Sequence, residues 1–487
     1  MEGSRCFILI PNSPHYYAPV FPAEAMYTAT ATAINSDRTI SGVYKPRNPA
    51  ASHYFRCVSA HWEELEPAWE DLYQRQYGFF RKYVKEVMLR FLDCGDLRQG
   101  FARVRCPDCG HEYLLAFSCK RRHFCPSCHQ KRVVEFGEWL CMEMLKSVPH
   151  RQWVFSMPKR LRPWFSHDRK LLAGLSKCAW KILGQYLKHS VPYDDAVAGG
   201  VVAVQKFGDF QNFNPHLHII ATDGCFYGDG QFMTANRPCP ADLEPLFRQE
   251  VFKLLKAHGL PDRVMENMMG WHHSGFNIYC GPAIRPGDKT GMENLARYVI
   301  RAAFSQERMR YIPATASADG KAKVIYQSKD GRERKVFPAL DWLAQLTTHI
   351  PNRKEHKVRY YGYYSNKSRG QRIKTEHDND IACILNAGLS GKAFRKSWAR
   401  LIQKIYEVDP LRCPKCQGQM KIISFIEEQV VIKQILQHLG LWEVRNNCPP
   451  PPPLNIVREP TYLPAPDQAP AGDEVWSQVP NFGYWAE

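Results

Sequence analysis

Apolar residues recur at three- and four-residue steps through Phe80, Tyr83, Val84, Val87, Met88 and Phe91, which predicts a helix stopped by Asp93-Cys94-Gly95-Asp96. Ahead of the helical pattern, which sets in near Trp62, residues 1 to 60 show no sustained period and read as a poorly ordered extension. Further on, residues 131–146 alternate as an amphipathic helix and 152–157 as a strand. Helices are expected near 168–188 and 242–258, with strands over 200–207 and 216–222 separated by the turn signals of 208–215. A strand at 276–280, a helix at 292–303, a strand pair in 322–337, a helix at 339–346 and a strand at 357–361 follow. Near the end a helix at 427–439 stops at Gly440, and the prolines of 449–453 open an extended tail. This is an α+β pattern with a mostly antiparallel sheet flanked by helices, not a regular βαβ series.

The most informative strand begins Asn214-Pro215-His216-Leu217-His218. Side chains alternate faces along a strand, so His216 and His218 converge on one side while Leu217 and Ile219 point to the other. Two histidines so placed can hold one metal ion. Gln205, Gln306, Glu307 and His349 are available as a third ligand, and spacing does not choose among them.

Cysteines supply a second metal signal. Cys106-Pro107-Asp108-Cys109-Gly110 and Cys125-Pro126-Ser127-Cys128-His129 are two Cys-x-x-Cys turns that together offer four thiolates to a tetrahedral Zn²⁺. Cys119, His111, His123 and His129 are spare candidates. A third knuckle, Cys413-Pro414-Lys415-Cys416, is a half-site for a second Zn²⁺ that needs two more ligands, His438 and Cys448 being the nearest downstream.

Composition narrows the partner. A formal charge of +17 and a pI near 9.1 favour a polyanion, nucleic acid first. The Lys120-Arg121-Arg122 and Lys131-Arg132 shell suits phosphate contact by the zinc module. Between 354 and 374 cations interleave with Tyr360, Tyr361, Tyr363 and Tyr364, which suits stacked single-stranded bases or, alternatively, a strand with one apolar face. The 366–372 segment, with Lys367, Arg369 and Arg372, is expected as a DNA-contacting loop. No run of eighteen apolar residues and no signal peptide are found, which predicts a soluble, unexported protein without a membrane partner.

The helix at 292–303 carries Asn294-Leu295-Ala296-Arg297-Tyr298. With the histidine strand, the upstream cysteine knuckles and Tyr360-Tyr361-Gly362-Tyr363-Tyr364-Ser365-Asn366, it resembles the IS91 family of transposases over about residues 60–440. The resemblance implies an HUH endonuclease-like fold preceded by a small zinc-binding domain. It also implies that His216 and His218 hold Mg²⁺ or Mn²⁺ and that Tyr298 cuts single-stranded DNA as a 5′-phosphotyrosine. The single-stranded DNA at the element ends and the target DNA would be the partners. The chain has Asn294 where two-tyrosine members carry a second tyrosine, so it is similar to the single-tyrosine branch of common-region elements. Dimerisation or reuse of Tyr298 then has to complete the exchange. Arg297 and Arg301, together with Arg308, are candidate phosphate clamps.

The expected division is an extension at 1–60, a helical and zinc-binding domain at 61–148, a catalytic domain at 149–395, C-terminal helices with a knuckle at 396–445 and a tail at 446–487. No Gly-x-x-x-x-Gly-Lys-Ser/Thr loop occurs, consistent with strand transfer that needs no ATP. A cytoplasmic bacterial protein, on the nucleoid when bound to DNA, is implied. Competing readings are a zinc-dependent DNA-binding protein without catalysis, and a replication-initiator or relaxase-like nuclease.

Overall fold

A computed structural model describes residues 48–442, except 122, 237, 354, 376–397 and 407. The proline tail, Cys448, Arg122 and most of the expected N-terminal extension lie outside the described residues.

The N-terminal part runs α1 (His53–Leu65), α2 (Lys82–Leu92), the hairpin β1 (Phe101–Arg105) and β2 (Glu112–Ala116), and α3 (Pro126–Trp139), which widens into a π turn at Leu140–Met144. Next come β3 (His150–Ser156), α4 (Leu171–His189), β4 (Gly199–Phe207), β5 (Phe213–Thr222), the ribbon β6 (Gly224–Tyr227) and β7 (Gln231–Thr234), α5 (Pro240–Lys256), β8 (Asn277–Ile284) and α6 (Lys289–Val299). The meander β9 (Met309–Ile312), β10 (Lys323–Gln327), β11 (Arg334–Pro338) leads to α7 (Ala339–Thr348), β12 (Val358–Gly362) and α8 (Asn366–Lys374). The described chain closes with α9 (Trp398–Tyr406), β13 (Lys421–Ile426) and α10 (Gln429–His438).

Five strands form the central sheet in the order β12-β4-β5-β3-β8, every neighbour antiparallel, so the histidine strand β5 is the middle one. Its period of two separates two cores. Leu217, Ile219 and Ala221 join Trp153, Phe155, Val202 and Val204 on one face, packed against the Leu175, Ala179, Ile182 and Leu183 stripe of α4 and against Phe247 and Val251 of α5. A Cβ at Gly200 would come within 2.0 Å of the Trp180 ring, so glycine is what allows α4 to lie so close to the sheet. The opposite face presents Val201, Ala203 and Ile220 to Phe136 and Leu140 and to Met292, Leu295, Ala296 and Val299 of α6. His216 and His218 belong to that second face, the one that α6 covers. The α+β expectation and the antiparallel sheet between helices hold, and among the described residues no helix is long and apolar enough to cross a membrane.

Three expectations change. Residues 53–60 are not part of a loose extension: Ser52 caps α1 by accepting the Phe55 N–H at 3.1 Å, and Tyr54, Cys57 and Val58 are buried in a core shared with α2 and α7. The 366–372 segment is not a loop but helix α8, capped by Ser365 accepting from Ser368 N–H at 3.2 Å. Nor are residues 421–426 helical C-terminal appendage; β13 pairs antiparallel with β1, far upstream in sequence.

Candidate active site and cysteine clusters

Strand register decides what surrounds the histidines. Gln205 of β4 lies opposite His216, and Val154 and Ser156 of β3 lie opposite His218 and His216, so these side chains share one face. His216 is 7% and His218 2% exposed, with ring centroids 4.9 Å apart. The Nδ1–H of His216 donates to the Asn214 carbonyl at 2.8 Å, leaving Nε2 as the open acceptor. His218 Nδ1 lies 3.1 Å from the Gln152 side-chain amide, and its Nε2 is buried with no protein partner. As placed, the Gln152 Nε2 faces His218 Nδ1; turning that amide by 180° exchanges its N and O at nearly the same positions, lets the oxygen accept from Nδ1–H and gives His218 a free Nε2 lone pair. Burial pushes His216 down to about 4 and His218 well below its ordinary value, so both rings are neutral, the form that ligates a cation. An orphaned buried nitrogen beside a second neutral imidazole fits a divalent metal ion.

Above this pair lies the end of α6. The Tyr298 ring stands edge-on to His218 with centroids 5.1 Å apart. Arg301 stacks over its half-buried ring at 4.7 Å, and Gln205 Nε2 holds the end of the helix by donating to the Tyr298 and Val299 backbone carbonyls at 3.1 and 3.0 Å. Arg301 Nε in turn donates to Gln205 Oε1 at 3.3 Å. Asp288 caps the other end of the helix by accepting from Gly291 N–H at 2.8 Å. Arg162, on the short helix Arg162–His167, adds positive potential at His216, and its Nε is buried without a partner.

Of the sequence candidates, the structure therefore brings together His216, His218, Tyr298 and Arg301. Arg297 turns the other way, ion-paired with Glu293 at 3.0 Å and packed on Gly137 of α3. Arg308 lies over Tyr326 in the meander. Among the third-ligand candidates, Gln205 is committed to α6, and His349 turns Nε2 to the Gln211 carbonyl at 2.7 Å. Gln306 and Glu307 begin the meander and not the central sheet. Gln152, Asn214 and Arg162 were not singled out for this site from sequence; only the period-two register of β3 could have pointed to Gln152.

The tyrosine run is core. Tyr364 is fully buried with its hydroxyl 2.8 Å from His150 Nε2, Tyr363 stacks on Phe226 at 3.7 Å, and Tyr361 stacks on Trp180 at 5.6 Å. Arg372 is spent locally, over Tyr363 at 3.7 Å and donating to its carbonyl at 2.8 Å. Lys367 remains exposed and Arg369 half-buried on α8. In the basic shell, Arg121 pairs with Glu86 at 2.9 Å and Arg132 with Glu135 at 3.5 Å.

Cys106, Cys109, Cys125 and Cys128 do not form one site. Cys125 and Cys128, at the N-terminus of α3, gather with Cys94 and Cys119, and Cys106 and Cys109 gather with Cys413 and Cys416. In the first group the sulfur separations include 3.7 Å for Cys94–Cys125 and 3.6 Å for Cys119–Cys128. Those spacings are far beyond a disulfide and close to the ~3.8 Å edge of a tetrahedron with Zn–S bonds of about 2.3 Å. Hydrogen bonds from Cys119 and Cys125 lower the Cys128 thiol to about 7. The partners expected for Cys413 and Cys416 were His438 and Cys448; the structure supplies Cys106 and Cys109 instead. Spacing pairs knuckles that are near in sequence, whereas here the β1–β13 ladder brings distant ones together.

Comparison with known proteins agrees with this layout. The family model of the IS91-type transposase zinc-binding domain matches residues 64–157, and a second model, described as a putative transposase, matches residues 199–372. Over 362 residues the chain is 23% identical to the transposase for insertion sequence element IS801 of Pseudomonas savastanoi pv. phaseolicola, covering 70% of this chain and 84% of that protein. The chain is similar to the IS91 family of transposases. A putative transposase, y4qJ of Sinorhizobium fredii, is 22% identical over 380 residues, 73% of this chain and 93% of that one. No solved structure matches. The segment matched by the zinc-binding model contains the whole first cysteine group but only Cys106 and Cys109 of the second.

Proposed function

We propose that this transposase cuts and rejoins single-stranded DNA at the ends of its element through a covalent bond to Tyr298. The observation that carries the reading is the placement of the Tyr298 ring 5.1 Å from His218, on the covered face of the central strand. The phenol oxygen attacks the scissile phosphorus, the bond to the 3′ oxygen breaks, and that oxygen leaves with a proton as a free 3′-hydroxyl. A 5′-phosphotyrosine results. Attack by a 3′-hydroxyl on that phosphotyrosine restores a phosphodiester and the phenol, so bond energy is kept for rejoining.

His216 and His218 would hold Mg²⁺ or Mn²⁺, which offsets charge on the phosphate when bound. Arg301 orients the phenol by stacking and, with Arg162, lends positive charge to the same place. Gln205 sets the height of the tyrosine above the strand by tying the end of α6 to β4. On α8, Lys367 and Arg369 are cations offered to the DNA backbone. The Cys94, Cys119, Cys125 and Cys128 group would hold a structural Zn²⁺. A single nucleophile requires either a second copy of the chain or a second use of Tyr298, and target DNA would enter at the rejoining step.

Purified protein incubated with labelled single-stranded DNA from its element ends and Mn²⁺ tests the reading. The wild type should give an adduct stable on a denaturing gel, and Tyr298→Phe and the His216→Ala/His218→Ala double variant should give none. Cleavage of the same DNA without any adduct would reject the tyrosine mechanism.

A further inference from the structure

The second cysteine group has features that a chance cluster lacks. Cys106 Sγ lies 3.4 Å from Cys416 Sγ, and Cys109 Sγ 3.5 Å from Cys413 Sγ, and all four sulfurs fall within 4.8 Å of one another. Each pair is mounted on a knuckle turn. Gly110 N–H donates to Cys106 O at 3.0 Å with Gly110 at φ +71°, and Gln417 N–H donates to Cys413 O at 3.0 Å with Gln417 at φ +62°. The knuckles meet face to face: a Cβ on Gly418 would come within 2.1 Å of the Asp108 carboxylate.

Around the sulfurs the β1–β2 hairpin and the C-terminal end of the described chain build one small sheet-and-helix unit. β13 adds to the β1–β2 hairpin, and Val104, Cys106, Cys413 and Met420 share a core. Phe101 packs under Ile432 and Leu436 of α10, and the Tyr113 hydroxyl donates to the Pro410 carbonyl at 2.7 Å. Just upstream of this second knuckle, α9 reaches back toward the catalytic side. Arg400 donates to Glu138 of α3 at 2.7 Å, and Lys404 bridges Glu138 at 2.8 Å and Glu293 of α6 at 3.1 Å. Glu138 is 2% exposed, so this is a buried junction between α3, α6 and α9.

We infer that Cys106, Cys109, Cys413 and Cys416 bind a second Zn²⁺, which clasps the C-terminal segment to the N-terminal domain and so seats α9 against the helix that carries Tyr298. Zinc binding here is independent of the strand-transfer reading; the consequence for Tyr298 rests on it. Four thiolates on two knuckles suit zinc and not a harder cation. Lys404 and Arg400 are positioning residues in this arrangement, acting on α6 through Glu293 and Glu138.

The full chain, purified without chelator, should carry two zinc ions by elemental analysis, and Cys413→Ser/Cys416→Ser should carry one. Hydrogen exchange in the variant should quicken in 398–406 and 289–299 and stay unchanged in α4. One zinc in the wild type, or two in the variant, overturns the site. Zinc loss without faster exchange in 289–299 overturns the link to Tyr298. Should the variant not fold, cobalt substitution of the wild type decides: thiolate-to-cobalt absorption equivalent to two four-sulfur sites supports the clasp, and absorption of one site rejects it. None of these readings requires DNA cleavage, so failure of the clasp and failure of the nuclease reading are separable.

Discussion

Gln152 shows how much a single residue outside the motif contributes. Its amide fixes the His218 ring from the neighbouring strand, the role that outer partners of metal-bound imidazoles play. Gln152→Leu should weaken Mn²⁺ binding by about 10- to 100-fold while leaving the zinc content unchanged. Titration of Mn²⁺ followed by its paramagnetic resonance signal checks this, and an unaltered affinity would show that His218 is oriented by something else. The pair His216 and His218 was legible in the sequence because alternation along a strand is a strict geometric rule. Gln152 was not, since its register against β5 depends on pairing between segments more than sixty residues apart. For Tyr298 no spacing or alternation singles out one phenol among twenty-three tyrosines, and the resemblance was needed to point to it.

Between elements, the junction at Glu138 is the most exacting contact. Burial alone pushes this carboxyl up, but Arg400 and Lys404 more than offset that and hold it below the usual carboxylate range. A carboxyl held low in the folded state contributes stability above its unfolded value and loses it as pH falls through the folded one. Acidification below the ordinary carboxylate range should therefore release α9, seen as faster hydrogen exchange in 398–406, and Glu138→Gln should remove that pH dependence. Glu138→Ala, which removes the buried carboxylate that Arg400 and Lys404 share, should cost about 3 kcal/mol in urea unfolding, the low end for a broken buried pair because the cations keep some water and Lys404 keeps Glu293. Element positions were legible wherever apolar spacing was regular, as in α4, β4 and β5. The 366–372 segment was misread as a loop because its composition is polar, yet Ser365 is a capping residue that starts α8.

For the whole molecule, a charge of +17 predicts binding that is steeply salt-dependent. Lys367→Ala and Arg369→Ala should each make the slope of log affinity against log salt for single-stranded DNA shallower by about 0.7. Arg372→Ala should leave the slope unchanged, since Arg372 is held by Tyr363 and Ser368. A filter-binding series across salt concentrations distinguishes them. Long-range arrangement was the least legible part of the sequence. Three similar knuckles admit several pairings, and the actual one is set by the β1–β13 ladder, which no local pattern announces.

The central claim is that Tyr298, set over the His216–His218 pair, forms the bond to DNA. Protease digestion of the trapped protein–DNA adduct, followed by mass spectrometry of the nucleotide-bearing peptide, tests it most directly. The account predicts that the modified peptide contains Tyr298 and that the mass is carried on that residue. Modification of any other tyrosine would contradict it.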